Sequence, residues 1–271
     1  YGLKISYFEE EKPLGSAGGL KNLEGLIQED FLLIYGDIML SMDFNRLINF
    51  HYKKQRDGTI VVFPTDHVFD SDLIITGKDD LVIGISRKSE FKNPLERPPY
   101  QNLANSGVYI FSKKLFNFLK VGEKADLATD IIPKILGGEI YAYKTSECLE
   151  DIGTPERLQK VRKDYLSGRI NRLNLKNKQK AVFIDRDGVI NFDVNYLSKK
   201  EDLKILPKVR EAIGLLNSSD YLTIIITNQS AIARGILTLN ELRNIHNLIE
   251  TELGNSGIKL NEIYYCPHYF E

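Results

Sequence analysis

The stretch Phe183-Ile-Asp-Arg-Asp-Gly-Val-Ile190 decides how this chain of 271 residues is read. It has the pattern of a buried strand that ends abruptly in two aspartates one residue apart, Asp185 and Asp187, followed by a glycine that lets the backbone turn. Carboxylates at the C-terminal edge of a strand lie where open α/β sheets bind ligands. Two like charges this close repel, which raises one pKa or calls for a cation, and both outcomes suit catalysis. The plainer alternative is a pair that caps a turn.

Working outward, further apolar runs have the look of buried strands: Phe31 to Tyr35, Thr59 to Phe63, Val108 to Phe111, Ala181 to Ile184 and Leu222 to Ile226. Helix-period segments alternate with them, which predicts α/β layers. Leu3 to Phe8 is also strand-like. Helix starts are marked by Asp43 before Phe44 to Lys54, by Asp126 before Leu127 to Leu136, and by Thr238 with Glu241 three residues later, a capping box.

The helix beginning near Pro155 runs out at Gly168 into a polar stretch with little core potential. This predicts two domains, residues 1–168 and 179–271, joined by a solvated linker over 169–178; one long α/β domain is the alternative. The net charge of −1, from 36 basic and 37 acidic residues, gives no footprint for nucleic acid or an anionic membrane and turns the reading toward small-molecule chemistry. Two cysteines, Cys148 and Cys266, are too few for a disulfide scaffold, and no apolar run approaches a membrane span, so a reducing cytoplasm fits. The opening at Tyr1, with no targeting pattern, is read as an incomplete amino terminus.

A second strand, Tyr221-Leu-Thr-Ile-Ile-Ile226, also ends in small polar groups, Thr227-Asn-Gln-Ser230, then Ala-Ile-Ala-Arg234-Gly235. Hydroxyl, amide and guanidinium donors at that edge could grip phosphoryl oxygens; taken alone they could also be ordinary loop polarity. Together with the paired aspartates they resemble the haloacid dehalogenase phosphatases. Within that superfamily Asp-Arg-Asp-Gly-Val-Ile-Asn, Thr-Asn-Gln-Ser-x-Ile-Ala-Arg-Gly and Tyr-Tyr-Cys-Pro-His are similar to D-glycero-D-manno-heptose 1,7-bisphosphate phosphatases, with histidinol phosphatases a close cousin.

The resemblance, over Lys180 to Glu271, implies Asp185 as nucleophile and Asp187 as acid/base. It implies Mg2+ held by the Asp185 carboxylate and the Asp187 carbonyl, and Thr227 on a phosphoryl oxygen. Asp193, Val194, Asn195, Tyr196, Asn228, Gln229 and Ser230 would contact substrate, and Arg234 lies with the donors. Cys266 and His268 are half of a tetrahedral Zn2+ site. By themselves they could be coincidence; the resemblance makes them the first half of a structural zinc loop whose other cysteines are expected beyond Glu271, with a later lysine and acidic magnesium ligand.

Toward the other end, Glu11-Lys-Pro-Leu-Gly-Ser-Ala-Gly-Gly-Leu20 places three glycines around small residues, entering a helix to about Leu26. This is a ligand-approach loop or a plain tight turn. Tyr35-Gly-Asp37 ends a strand on a carboxylate, and Leu149-Glu-Asp151-Ile-Gly-Thr-Pro155 supplies another before a proline-started helix; either aspartate is a metal ligand or a cap.

With Asn105-Ser-Gly-Val-Tyr-Ile-Phe111 between them, these motifs resemble the sugar-phosphate nucleotidyltransferases over Tyr1 to about Gly168. The resemblance implies Mg2+ between Asp37 and Asp151, Gly15 and Gly18 near the base, Asn105 and Gly107 near the sugar, and Lys88 reaching the sugar phosphate. The family's opening triphosphate-binding signature is expected before Tyr1.

The expected fold is therefore two Rossmann-like α/β domains, a nucleotidyltransferase-type one followed by a haloacid dehalogenase-type one, both truncated. The expected ligands are sugar phosphates and a nucleoside triphosphate. The joint expectation is a phosphatase that removes the 7-phosphate of heptose 1,7-bisphosphate, fused to a transferase that joins heptose 1-phosphate to a nucleotide. The rivals are another sugar-phosphate pair or a non-catalytic binding pair, and the base, the anomer and the oligomeric state stay open.

Overall fold

A computed structural model describes residues 2–53 and 56–269. The Lys54 end of the first predicted long helix, Tyr1 and Glu271 lie outside the described residues. Six strands make one mixed sheet: β1 (Phe31–Ile34), β3 (Gly58–Phe63), β4 (Leu73–Thr76), β5 (Val82–Ser86), β6 (Ala104–Phe111) and β7 (Ile140–Lys144). Their order is β5-β4-β6-β3-β7, with β1 also on β6. Pairing is parallel between β3 and β7 and antiparallel at β6, so this sheet is α/β but not the all-parallel Rossmann type. Thr59, Ile60, Val61 and Val62 of β3 are all buried, as a central strand covered on both faces requires. A separate antiparallel ribbon pairs β2 (Ile38–Ser41) with β8 (Cys148–Asp151).

The second sheet, β11 (Glu262–Cys266), β10 (Leu222–Asn228) and β9 (Ala181–Ile184), is parallel throughout, as the Rossmann-like expectation has it. Parallel neighbours need crossovers, and helices α6 (Val209–Ser218) and α7 (Leu239–Gly254) supply them. Along α7 the apolar positions Leu242, Ile245, Ile249 and Leu253 recur at three- and four-residue spacing and are buried with Ile190, Ile213 and Ile225. Each such side chain contributes about 1.5–3 kcal/mol by leaving water, so a charge at Ile249 would open this core. The Thr238 hydroxyl accepts from the Glu241 amide while the Glu241 carboxylate accepts from the Thr238 amide, the predicted capping box.

Among the shorter helices are α1 (Gly15–Gly18), α2 (Phe44–Tyr52), α3 (Ile132–Ile135), α4 (Pro155–Leu166) and α5 (Arg169–Arg172). The predicted caps Asp43 and Asp126 accept from Asn45 and Thr129. Beyond Asp126 the expected single helix is a π-turn (Leu127–Ile131) and then α3; Pro133 has no amide to continue an ordinary ladder. The glycine-rich stretch gives α1 and a 3-10 turn (Gly19–Leu23) rather than one helix to Leu26.

Leu3 to Phe8 is not a strand. A period-two pattern needs a partner ladder, and among the described residues none pairs with this segment; Leu3, Ile5, Tyr7 and Phe8 are exposed. Residues 169–178 are also less solvated than expected. Ile170 on α5 is 4% exposed and packs with Cys148 and Val161.

The two sheets meet through the segment before β6. The Tyr100 amide donates to Thr251 Oγ1 (3.0 Å) and the Asn102 amide to Glu250 Oε2 (3.2 Å), both on α7, and the Tyr100 hydroxyl to Oδ1 of Asn255 (3.2 Å), which caps the end of that helix. A Cβ at position 254 would lie 2.8 Å from the Tyr100 hydroxyl, so Gly254 lets Tyr100 come this close without shifting. No helix among the described residues is long and apolar enough to cross a membrane.

Candidate active sites

At the carboxyl edge of the parallel sheet, Ile184 of β9 lies opposite Ile225 of β10, so Asp185 leaves its strand beside Ile226 and Thr227. Gly188, at φ +77°, makes the turn that follows. Asp185 is exposed, and its Oδ1 accepts from the Arg186 amide at 2.7 Å. Asp187 faces inward. The Arg186 guanidinium grips both its oxygens (Nη2 to Oδ2 2.8 Å, to Oδ1 2.9 Å), Asn191 Nδ2 donates to Oδ1 (3.0 Å) and Gln229 Nε2 to Oδ2 (3.0 Å). Gln229 closes the ring, donating to Thr227 Oγ1 at 2.9 Å and accepting from Arg186 Nη2 at 3.0 Å.

Burial pushes the Asp187 carboxyl up. The Asn191 hydrogen bond and the Arg186 charge outweigh that and leave it below the ordinary carboxylate range. Arg186 is 1% exposed, and its Nη1 lies 3.5 Å from Nε2 of His246 on α7. Burial first, and the Arg186 charge second, lower the His246 pKa to about 3. The ring is thus neutral beside the guanidinium.

Around this edge, Asp193 to Tyr196 form an exposed turn in which the Asn195 amide donates to Asp193 Oδ1 (3.0 Å), with Asn195 and Tyr196 at positive φ. Arg234 lies over the rings of Tyr269 (3.7 Å) and Tyr196 (5.9 Å), beside that turn. Asn228 is exposed, Ser230 half-buried and Val194 exposed. Cys266, opposite Asn228 on β11, has its Sγ 3.7 Å from His268 Nδ1. Among the described residues no group of three or more metal-binding side chains forms.

The second site is a cavity of about 380 Å³ lined by Asp37, Asp70, Lys88, Asn105, Gly107, Asp151 and Arg157 among others, with Lys259 from beyond α7 also in its wall. Asp37 precedes β2 and Asp151 ends β8, and the Ile152 amide donates to the Asp37 carbonyl (2.8 Å), which fixes the two strand ends together. A Cβ at Gly153 would lie 3.0 Å from Asp151 Oδ1, which accepts from the Gly153 amide, and 3.8 Å from Asp37 Oδ2, so the two carboxylates flank this glycine. Two carboxylates with room for phosphates and waters suit magnesium. Asp185 with the Asp187 carbonyl is likewise a set of hard oxygen donors.

Gly107, at φ +75°, accepts from the Tyr35 amide through its carbonyl (3.0 Å) and brings Asn105 to the wall. Gly15 and Gly18 are not at this cavity: added Cβ atoms there would lie 2.5 Å from the Ala125 and Glu123 carbonyl oxygens, and the Ala17 and Gly18 amides donate to Ala125. Lys88 Nζ pairs with Asp70 Oδ1 at 2.6 Å; Arg157 bridges Asp70 and Asp151, the latter at 2.7 Å.

Sequence reasoning missed Arg186, Asn191, His246, Asp70 and Arg157. For Arg186 a signal existed. Continued past Ile184, the alternation of β9, in which Val182 and Ile184 are less exposed than Ala181 and Phe183, turns residue 186 inward, where an arginine must have an anion.

The family model described as nucleotidyl transferase matches residues 1–168. A mannose-1-phosphate guanylyltransferase of Mycobacterium tuberculosis is 27% identical over 62% of this chain and 46% of its own. A D-glycero-beta-D-manno-heptose-1,7-bisphosphate 7-phosphatase of Rhodopseudomonas palustris is 38% identical over 35% of this chain and 52% of its own. Among solved structures, D,D-heptose 1,7-bisphosphate phosphatase from B. bronchiseptica, complexed with magnesium and phosphate, is 33% identical with a TM-score of 0.33, covering 34% of this chain and 51% of that one. The chain spans about half the length of the curated relatives it matches.

Proposed function

Because the chain belongs to the nucleotidyl transferase family and carries a second set of motifs beyond residue 179, we propose that it is part of a bifunctional sugar-phosphate enzyme. Its carboxyl-terminal unit, 179–271, hydrolyses the 7-phosphate of heptose 1,7-bisphosphate. Its amino-terminal unit, 1–168, joins the resulting heptose 1-phosphate to a nucleotide. The observation that carries the reading is Asp185 exposed at the end of β9 while Asp187, two residues on, is held by Arg186, Asn191 and Gln229 beside Thr227.

Asp185, exposed, attacks phosphorus to form an aspartyl-phosphate, and Thr227 orients a phosphoryl oxygen. Asp187, held ionised, is ready to take a proton from the water that hydrolyses the intermediate. For the preceding step it must first carry a proton to the departing sugar oxygen, and the dianionic phosphate arriving beside it favours that protonation. Magnesium on Asp185 and the Asp187 carbonyl supplies charge neutralisation for the incoming phosphate. In the other unit Asp37 and Asp151 hold magnesium, Asn105 and Gly107 meet the sugar, and Lys88 its phosphate. The turn over Asp193, Val194, Asn195 and Tyr196, with Asn228 and Ser230, forms the rim that meets the heptose.

Cys266 and His268 are read as two of four zinc donors: their 3.7 Å separation suits two corners of a tetrahedron with edges of about 3.6 Å, from ordinary Zn–S and Zn–N lengths.

Phosphate release from heptose 1,7-bisphosphate and from histidinol phosphate, with magnesium, tests the first activity; efficient cleavage of histidinol phosphate alone would remove the heptose assignment. A panel of nucleoside triphosphates with several sugar 1-phosphates, read by pyrophosphate release, tests the second. Binding of these ligands without any turnover would favour the non-catalytic rival.

A further inference from the structure

Among the cations lining the cavity that carries Asp37 and Asp151, Lys88 and Arg157 both reach one carboxylate. Asp70 ends a short 3-10 turn (Val68–Asp70). Its Oδ1 accepts from Lys88 Nζ at 2.6 Å and its carbonyl from the same ammonium at 3.2 Å, while its Oδ2 accepts from Arg157 Nη2. Arg157 continues the chain of charge to Asp151 Oδ2 at 2.7 Å. Asp72 fixes the base of the arrangement by accepting from the Lys88 amide at 2.9 Å. The Lys88 hydrogen bond foremost, with Arg157 after it, holds the Asp70 carboxyl below the ordinary range.

A carboxylate clasped by an ammonium and a guanidinium has the donors around it that a phosphate monoester takes. Both cations line the same cavity as the paired aspartates, so a sugar phosphate entering it meets them already neutralised.

We propose that Asp70 is a built-in stand-in for the substrate phosphate. It keeps Lys88 and Arg157 aimed into the cavity and yields them when a sugar 1-phosphate binds. This rests on the transferase reading of the amino-terminal unit. An internal anion that must be displaced weakens ligand binding by the strength of the pairs it makes. Asp70 and Lys88 are each about half exposed, so solvent screens those pairs and the effect is modest. In return, the two side chains stay ordered without the ligand, which lowers the entropy cost of gripping it.

The experiment is calorimetric titration of the native chain, Asp70→Asn and Asp70→Ala with mannose 1-phosphate and, separately, with inorganic phosphate, at low and high salt. Melting curves monitored by circular dichroism check that each variant is folded. The amide of Asp70→Asn keeps the shape and removes the charge, so it is expected to bind mannose 1-phosphate about three- to tenfold more tightly than the native chain, with the gain shrinking in high salt. Lys88→Gln is expected to bind it more weakly.

If the native chain binds mannose 1-phosphate and both Asp70 variants, still folded, bind it no more tightly, the stand-in role is overturned while the transferase reading stands. If mannose 1-phosphate does not bind but inorganic phosphate binds more tightly to Asp70→Asn, the stand-in role holds and mannose 1-phosphate is removed as a ligand of this cavity. Absence of binding by every ligand to every folded variant overturns both.

Discussion

Arg186 Nη2 lies 2.8 Å from Asp187 Oδ2 with the guanidinium 1% exposed, so the residue between the two candidate catalytic aspartates is itself a core residue. A buried guanidinium persists only if its charge is matched and its donors are used. Asp187, Gln229 and His246 do this from three different elements. The position of Asp187 is therefore set by helix α7 and by the end of β10 as much as by its own turn.

Replacing Arg186 with methionine keeps the bulk and removes the charge. It leaves Asp187 partly buried without its counter-ion, which is expected to cost about 3–5 kcal/mol, and Arg186→Lys less. Urea unfolding followed by circular dichroism measures the loss. Under the phosphatase reading, phosphate release by a still-folded Arg186→Lys chain falls at least tenfold in kcat, because the lysine cannot hold both oxygens of Asp187.

His246 gives a pH signature with a definite sign. Its folded pKa, near 3, lies below the ordinary value of 6.5, so the unfolded chain binds the extra proton between those limits. The stabilisation is complete above about 6.5 and is lost as pH falls toward about 3. Melting temperatures of native protein and His246→Gln, compared from pH 7 to pH 4, are expected to converge on acidification; a constant difference would show that the imidazole does not titrate in this way.

Glu250 has the opposite sign. Burial foremost raises its pKa from 4.5 to about 8, against the pull of the Asn102 amide. Its contribution to the contact between the sheets is complete below about 4.5 and lost as pH rises through about 8. Glu250→Gln, which keeps an acceptor for Asn102, is expected to flatten the stability profile between pH 6 and 9 in the same melting experiment.

Asp37→Asn or Asp151→Asn removes half the charge aimed at the point beside Gly153. Under the transferase reading each lowers pyrophosphate release by about a hundredfold or more at saturating magnesium, and each weakens manganese binding read by electron paramagnetic resonance. Gly153→Ala places a methyl 3.0 Å from Asp151 Oδ1 and is expected to weaken manganese binding with both carboxylates intact.

Much of this was legible because strand ends announce themselves. The run Ala181 to Ile184 is the observed β9, and Asp185, Asp187 and Thr227 fall together because parallel strands in register bring their carboxyl ends to one edge. What sequence could not supply was partnership across distance. His246 is 60 residues from Arg186, and Thr251 is 151 from Tyr100; no local period encodes either contact.

Leu3 to Phe8 shows the converse failure, since alternation describes a strand's faces but not whether a neighbour exists to pair with. The glycines of the first loop could be read as a ligand-approach loop or as a plain tight turn. In the structure Gly15 and Gly18 allow close approach to the backbone oxygens of Ala125 and Glu123.

Helix α7 carries two obligations on successive turns. His246 braces the Arg186 guanidinium, while Glu250, Thr251, Gly254 and Asn255 meet Tyr100 and Asn102 of the other half. Related proteins that have the phosphatase-like half alone are expected to divide this helix in their inheritance. Drift at the last turn would be free, including loss of the glycine, while the turn holding His246 stays constrained. The helix would thus record, in which of its turns vary, whether a lineage ever carried the two halves together.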